Sequence, residues 1–155
     1  MDDELRDALD YIAITRLQAA YADAVTRRAW DEFDAQFLPD AIVRVDTVTN
    51  PVVEVVGPVA VGTFIAGAIE RFEFFEFVIL NTHVEQRVDG DATRARARLY
   101  MCELRVDAAS GRFTQAFGLY RDEYRSVDGR WWFARRDYQS LTRSGRNEVF
   151  PFPAP

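Results

Sequence analysis

Three side chains in separate parts of the chain have the chemistry to move a proton: His83 in Asn81-Thr82-His83-Val84-Glu85, Glu103 in Met101-Cys102-Glu103-Leu104, and Tyr21 in Ala20-Tyr21-Ala22. His83 is the only histidine, and an imidazole exchanges a proton near neutral pH with little tuning. A carboxylate drawn into apolar surroundings keeps its proton to higher pH, which suits a general acid or base. A tyrosine whose ring faces a core needs a partner for its hydroxyl, and that hydroxyl can polarise a substrate oxygen.

The rest of the inventory narrows the chemistry. All 19 basic residues are arginine, so Schiff-base, pyridoxal and P-loop chemistry lack their lysine amine. One histidine and one cysteine, Cys102, leave no paired-histidine metal motif, no cysteine-rich zinc site and no internal disulfide. Ser110 lies in a turn without a nucleophile elbow. The expectation is a site with no metal and no organic cofactor. A net charge of −6 argues against a nucleic-acid surface. The acidic start Met1-Asp2-Asp3-Glu4 is unlike a secretory signal, and runs such as Phe77-Val78-Ile79-Leu80 are too short to span a bilayer. These readings predict a cytoplasmic protein with no membrane partner.

The elements that must position these groups follow from periodicity. Leu5, Leu9, Ile12, Ala13, Leu17, Ala20, Tyr21 and Ala24 recur at helical steps, which predicts a helix over the first 28 residues. A second short helix is expected over Trp30 to Phe37, ended by Pro39-Asp40. Short strands follow at Ala41 to Asp46 and Val52 to Val56. Gly57-Pro58 then opens a helix running to about Phe72. Four long segments come next, Phe74 to Val88, Ala92 to Val106, Arg112 to Ser126 and Arg130 to Leu141, and Asp-Gly signals between them indicate antiparallel hairpins. Helices grouped before an antiparallel sheet predict an α+β fold, a cone-shaped barrel of strongly curved sheet around N-terminal helices. The chain, 1–155, reads as one domain with its core at about 5–141 and a tail, 142–155, whose aromatics lie on the body.

Strict alternation places each candidate. Phe77, Ile79, Asn81, His83 and Glu85 share one face, so His83 lines either a polar pocket or a dimer surface. Ala95, Ala97, Leu99 and Met101 form an apolar face that Glu103 continues, where a carboxylate is costly unless paired. The alternatives for Glu103 are a partner in Arg105 or Arg121, or a bulge near Tyr100 that turns it outward. Trp131 and Phe133 share a face that can wall a flat apolar ligand. The row Arg94, Arg96 and Arg98 reads as an exposed face paired with acidic neighbours.

The run Tyr21…Trp30-Asp31-Glu32-Phe33…Phe37-Leu38-Pro39-Asp40-Ala41 resembles the opening of SnoaL-like proteins in the nuclear-transport-factor-2-like superfamily. Val55-Val56-Gly57-Pro58, Val88-Asp89-Gly90-Asp91-Ala92 and Val127-Asp128-Gly129-Arg130-Trp131-Trp132-Phe133 continue the pattern. The resemblance implies the cone-shaped fold, a buried pocket and a homodimer or higher oligomer through the outer sheet face. In its bile-acid dehydratase type it implies catalytic roles for Tyr21, His83 and Glu103. Two positions depart from that type: Thr26 replaces an aspartate one turn after the tyrosine, and Ile79 falls where a histidine is common. Asp46 resembles the proton-abstracting carboxylate of ketosteroid isomerase, although a strand-end aspartate also serves a turn, and Tyr120 falls near that enzyme's second acid. The expected substrate-binding residues are Trp30, Phe64, Met101, Phe117, Tyr120 and Trp131. The leading expectation is therefore a cofactor-independent dehydratase, isomerase or cyclase acting on a hydrophobic cyclic small molecule. The competing one is a non-catalytic binding protein or an accessory subunit of an oxygenase-type complex.

Overall fold

The computed structural model describes residues 3–145 and 148–153. Helix α1, Asp3–Arg27, is followed by a 3-10 turn at Trp30–Ala35. Then come β1 Phe37–Asp46, β2 Val53–Val56, α2 Pro58–Ile69 and β3 Phe72–Gln86. The remaining strands are β4 Arg94–Asp107, β5 Phe113–Val127, β6 Arg130–Arg143 and β7 Glu148–Val149. They form one curled, open sheet in the order β2-β1-β6-β5-β4-β3, with β7 paired to β6. Among the described residues only the β1–β6 pairing is parallel. Arg146, Asn147, Ala154 and Pro155 of the expected tail lie outside the described residues.

Local chemistry explains most of these boundaries. Asp128 and Gly129 both take positive φ, 52° and 76°, which makes the tight hairpin between β5 and β6 the type whose twist suits paired strands. Strand β1 begins four residues before the expected position and runs through Pro39. There the β6 register skips from Phe37 to Ile42, so the missing proline N–H breaks no ladder bond to β6. Gly57, with φ of 85°, turns the chain from β2 into Pro58 at the start of α2.

Helix α1 lies on the concave face and runs opposite to β3. Gln86 donates to the Asp7 carbonyl at one end, and Thr26 Oγ1 accepts the Phe77 N–H at 3.0 Å at the other. The core between them is aromatic: Tyr21, Phe33, Phe37, Phe77, Tyr120, Tyr124 and Phe133 are all buried. Tyr21 stacks on Phe33 at 5.4 Å and meets Phe77 and Phe133 edge-on, the offset geometries that ring quadrupoles favour.

Four bulges along the β3–β4 and β5–β6 pairings set which side chains face inward. Each leaves one residue without a cross-strand partner: Glu73 and Leu80 in β3, Ala134 and Leu141 in β6. Strand β4 has none, so its alternation runs unbroken from Ala95 to Arg105. On the convex face, Phe152 stacks on Tyr100 at 6.4 Å and the Pro151 carbonyl accepts from Gln139. The tail thus crosses the row Tyr100–Leu119–Gln139. Among the described residues no helix is long and apolar enough to cross a membrane.

Candidate functional site

The concave wall is a stack of cross-strand rows, β4 to β6. From the level of the N-terminal part of α1 to that of its C-terminal end they are Ala95–Tyr124–Phe133, Ala97–Asp122–Arg136, Leu99–Tyr120–Tyr138, Met101–Gly118–Ser140 and Glu103–Ala116–Arg143. Polar groups run down the middle of this wall in two clusters.

The inner cluster is closed. Arg136 holds Asp122 through Nε at 2.8 Å and Nη2 at 3.1 Å, with both side chains at most 1% exposed. Tyr124 donates to Asp122 at 2.8 Å, and Gln18 from α1 donates to Tyr124 at 2.9 Å and to Thr82 at 3.1 Å. The Arg136 guanidinium carbon lies 4.0–4.3 Å from the Tyr120, Tyr21 and Phe133 ring centres. Burial works against the arginine's charge, but Asp122 and the flanking tyrosines hold its pKa above the ordinary value. Nη1 of Arg136 has no hydrogen-bond acceptor and is buried among these rings. Burial likewise pushes the Tyr21, Tyr120 and Tyr124 hydroxyls above the usual tyrosine range.

The outer cluster is more loosely paired and in part exposed. Glu103 continues the inward face of β4, its side chain 22% exposed. Arg105 Nη1 reaches its Oε2 at 3.3 Å. Burial raises the Glu103 pKa, and Arg105 and Arg143 pull it back only in part. Tyr138 stands beside it, its hydroxyl 3.2 Å from Ser140 Oγ and its own pKa raised by burial and then by the Glu103 charge. Gly118 makes this arrangement fit, because a Cβ there would lie 2.1 Å from the Tyr138 ring. A carboxylate that protonates readily beside a neutral phenol can give or take a proton while the phenol hydrogen-bonds a developing oxyanion.

The sequence candidates separate accordingly. Glu103, Tyr21, Tyr120 and Met101 face the concave side, and Trp30 packs against the core at Phe33, 5.8 Å between ring centres. Trp131 is buried at the far end, where its Nε1 donates to Asp10 at 2.9 Å, so it ties α1 to β6 and does not line the Glu103 end. Phe64 is half-buried on α2. Phe117 pairs with Cys102 and shares the convex parity of Leu119 and Tyr100, so it does not line the interior. His83 is exposed on the convex face beside Glu85 and opposite Arg98. The Leu80 bulge lies between Ile79, which faces in, and Asn81, which faces out, and so reverses the alternation that placed His83 with Phe77. Asp46 accepts the Val48 N–H at 2.8 Å and lies 3.9 Å from Arg44, a turn-closing role on the outer parity of β1. Arg105 is one of the partners the sequence offers for Glu103, whereas Tyr138, Ser140, Arg143 and the Asp122–Arg136 pair are not among the sequence candidates. Tyr120-Asp122-Tyr124, an aspartate between two aromatics on one strand face, was the readable signal for the last.

Among the described residues no three or more His, Cys, Asp or Glu side chains converge as metal ligands would. A separate apolar groove of about 980 Å³ lies between Phe37, Leu38, Val56, Pro58, Val59 and Trp132, and it contains none of the sequence candidates.

Comparison with family profiles matches residues 6–137 to the SnoaL-like domain. The chain belongs to the SnoaL-like family. No curated protein matches it. Among solved structures this SnoaL-like chain is similar to LinA, with a TM-score of 0.80 and 18% identity over 98% of this chain and 100% of that one. A hexachlorocyclohexane dehydrochlorinase, LinA-type3 from Novosphingobium barchaimii LL02, gives 0.79 and 18% over 96% and 99%. An NTF2-like protein with a cystatin-like fold from Novosphingobium aromaticivorans gives 0.70 and 19% over 92% and 88%. At these identities the likeness is one of fold. The SnoaL-like cone is a frame on which the side chains decide the chemistry.

Proposed function

We propose that this SnoaL-like chain is a cofactor-independent acid–base enzyme, a dehydratase, isomerase or cyclase, acting on an apolar cyclic small molecule at the Glu103 end of its concave wall. Glu103 takes a proton from carbon next to a carbonyl, and Tyr138 hydrogen-bonds the oxygen on which charge develops. Tyr120 and Tyr21 line the deeper wall against the apolar body of the substrate. The supporting observation is a part-exposed glutamate of raised pKa on the concave wall, within the electrostatic reach of a buried phenol.

Two facts favour the competing reading, a non-catalytic ligand-binding or accessory protein. The histidine faces outward, and the Thr26 hydroxyl, at the position of the family's aspartate, is engaged with the Phe77 N–H. Exchange of the acidic C–H protons of 2-tetralone in D2O, followed by NMR, separates the two. The enzyme reading expects exchange above the buffer rate that falls about 10²-fold or more in Glu103→Gln. No acceleration by the unaltered protein, or an unchanged rate in the variant, establishes the binding reading instead.

A further inference from the structure

The Glu103 end of the wall carries two guanidinium groups whose surroundings differ from those of the inner arginine. Row Phe77–Glu103–Ala116–Arg143 ends one level of the wall, and Phe75–Arg105–Thr114 forms the next. Neighbouring strands lie about 4.8 Å apart, so roughly 10 Å of sheet with only an alanine between them separates Glu103 from Arg143.

Arg105 is mostly buried, 16% exposed, yet both its polar contacts are long: 3.3 Å to Glu103 and 3.3 Å to Thr114 Oγ1. A charge-assisted N–H···O bond is ordinarily about 2.7–2.9 Å, and a guanidinium facing a carboxylate prefers two parallel bonds. Arg136 makes such a pair with Asp122, whereas Arg105 offers Glu103 one N–H, end-on, with its plane over the Phe72 ring at 5.1 Å. Arg143 donates to the Thr47 carbonyl, to Ser140 Oγ at 3.3 Å and to Thr49 Oγ1 at 3.2 Å, and sits over Phe150 at 5.2 Å. Glu148 stands opposite it in register on β7. Arg105 is therefore held by one long contact to a carboxylate and one to a hydroxyl, Arg143 donates to a carbonyl and two hydroxyls, and each lies over an aromatic ring.

We propose that Arg105 and Arg143 form an anion subsite at this end of the wall, which holds the carboxylate of an amphipathic substrate whose apolar body reaches the tyrosines. This inference rests on the catalytic reading above for the word substrate, but the subsite itself is tested by binding alone. A carboxylate seated on the Arg105 fork replaces Glu103 there, and a second negative charge nearby favours the protonated form of Glu103. The incoming acid thus makes the glutamate a stronger base for the proton it takes from carbon.

The test compares 3-cyclohexylpropanoate with 3-cyclohexylpropanamide, the same body without the charge, by NMR titration of the full chain. The acid is expected to bind at least about tenfold more tightly than the amide. That preference should shrink with added salt, vanish in Arg105→Gln and fall in Arg143→Gln. Arg105→Lys, which keeps the charge and loses the fork, should retain part of it. Equal affinity of acid and amide for the unaltered protein overturns the subsite, as does a preference that survives both glutamine variants. Loss of 2-tetralone exchange with an intact acid preference removes only the catalytic reading, and intact exchange without the preference removes only the subsite.

Discussion

The concave wall carries two arginine–carboxylate pairs of opposite character. Asp122–Arg136, deep in the core, is short, bidentate and completed by Tyr124 and Gln18. Glu103–Arg105, at the other end of the wall, is a single end-on contact of 3.3 Å with both side chains partly exposed. Under the proposed function the same two functional groups serve as a structural clamp in one place and as a proton-transfer group in the other. Geometry and hydration make the difference: Asp122 accepts from Arg136 and Tyr124 and is shut away from water, whereas Glu103 has one long contact and a pKa that burial raises.

The largest effect should come from breaking the inner pair. Asp122→Ala strands a buried guanidinium and is expected to cost about 3–5 kcal/mol in urea denaturation. Replacing both partners by apolar residues, Asp122→Leu with Arg136→Met, should recover most of that loss, because the pair's own net contribution is small once both charges are gone. Failure of the double variant to recover would mean that Arg136 stabilises the fold through its three aromatic rings more than through Asp122.

The outer pair should respond to pH. Burial raises the folded-state pKa of Glu103 above its ordinary 4.5, so between that value and the raised one the folded chain holds a proton that the unfolded chain has released. Stability therefore declines as pH rises through this interval. Glu103→Gln removes the decline: the two proteins should match below pH 4, and the variant should melt higher at pH 8. Arg105→Gln, by removing the cation that pulls the pKa down, should widen the interval and move the inflection of the exchange rate upward. A variant Glu103→Gln that melts lower at pH 8 would make the outer pair a second clamp.

The sequence revealed this contrast unevenly. Hairpins and helices were legible because turn chemistry and periodicity are local, and Asp-Gly at 128–129 is unambiguous; the parallel pairing of β1 with β6 joins distant segments and was not. Glu103 was legible because β4 has no bulge, so counting by twos from Ala95 reaches the correct face. Counting failed wherever one unpaired residue intervened. Ala134 lets both Phe133 and Arg136 face inward despite their odd separation, and Leu141 lets Arg143 reach Ser140. The switch in polarity at Tyr100, which suggested a bulge in β4, has another cause: the tail covers that stretch of the convex face, so apolar residues are tolerated there. A bulge and a distant tail both act through partners that no window of the strand itself contains.

His83 offers the smallest expected effect and the most direct challenge. Leu80 puts it on the hydrated convex side, next to Glu85, whose carboxylate is held low first by Arg96 and only secondarily by the histidine. An exposed side chain without a tight partner contributes little, so His83→Ala should shift stability by no more than about 0.5 kcal/mol. Exchange of 2-tetralone should stay within about twofold of the unaltered protein, because the imidazole and the tyrosine wall lie on opposite sides of the sheet. A loss of tenfold or more would move the chemistry to the convex face. Glu103 would then be what Asp122 already is, a carboxylate held for structure, and the difference between the two pairs would be one of hydration alone.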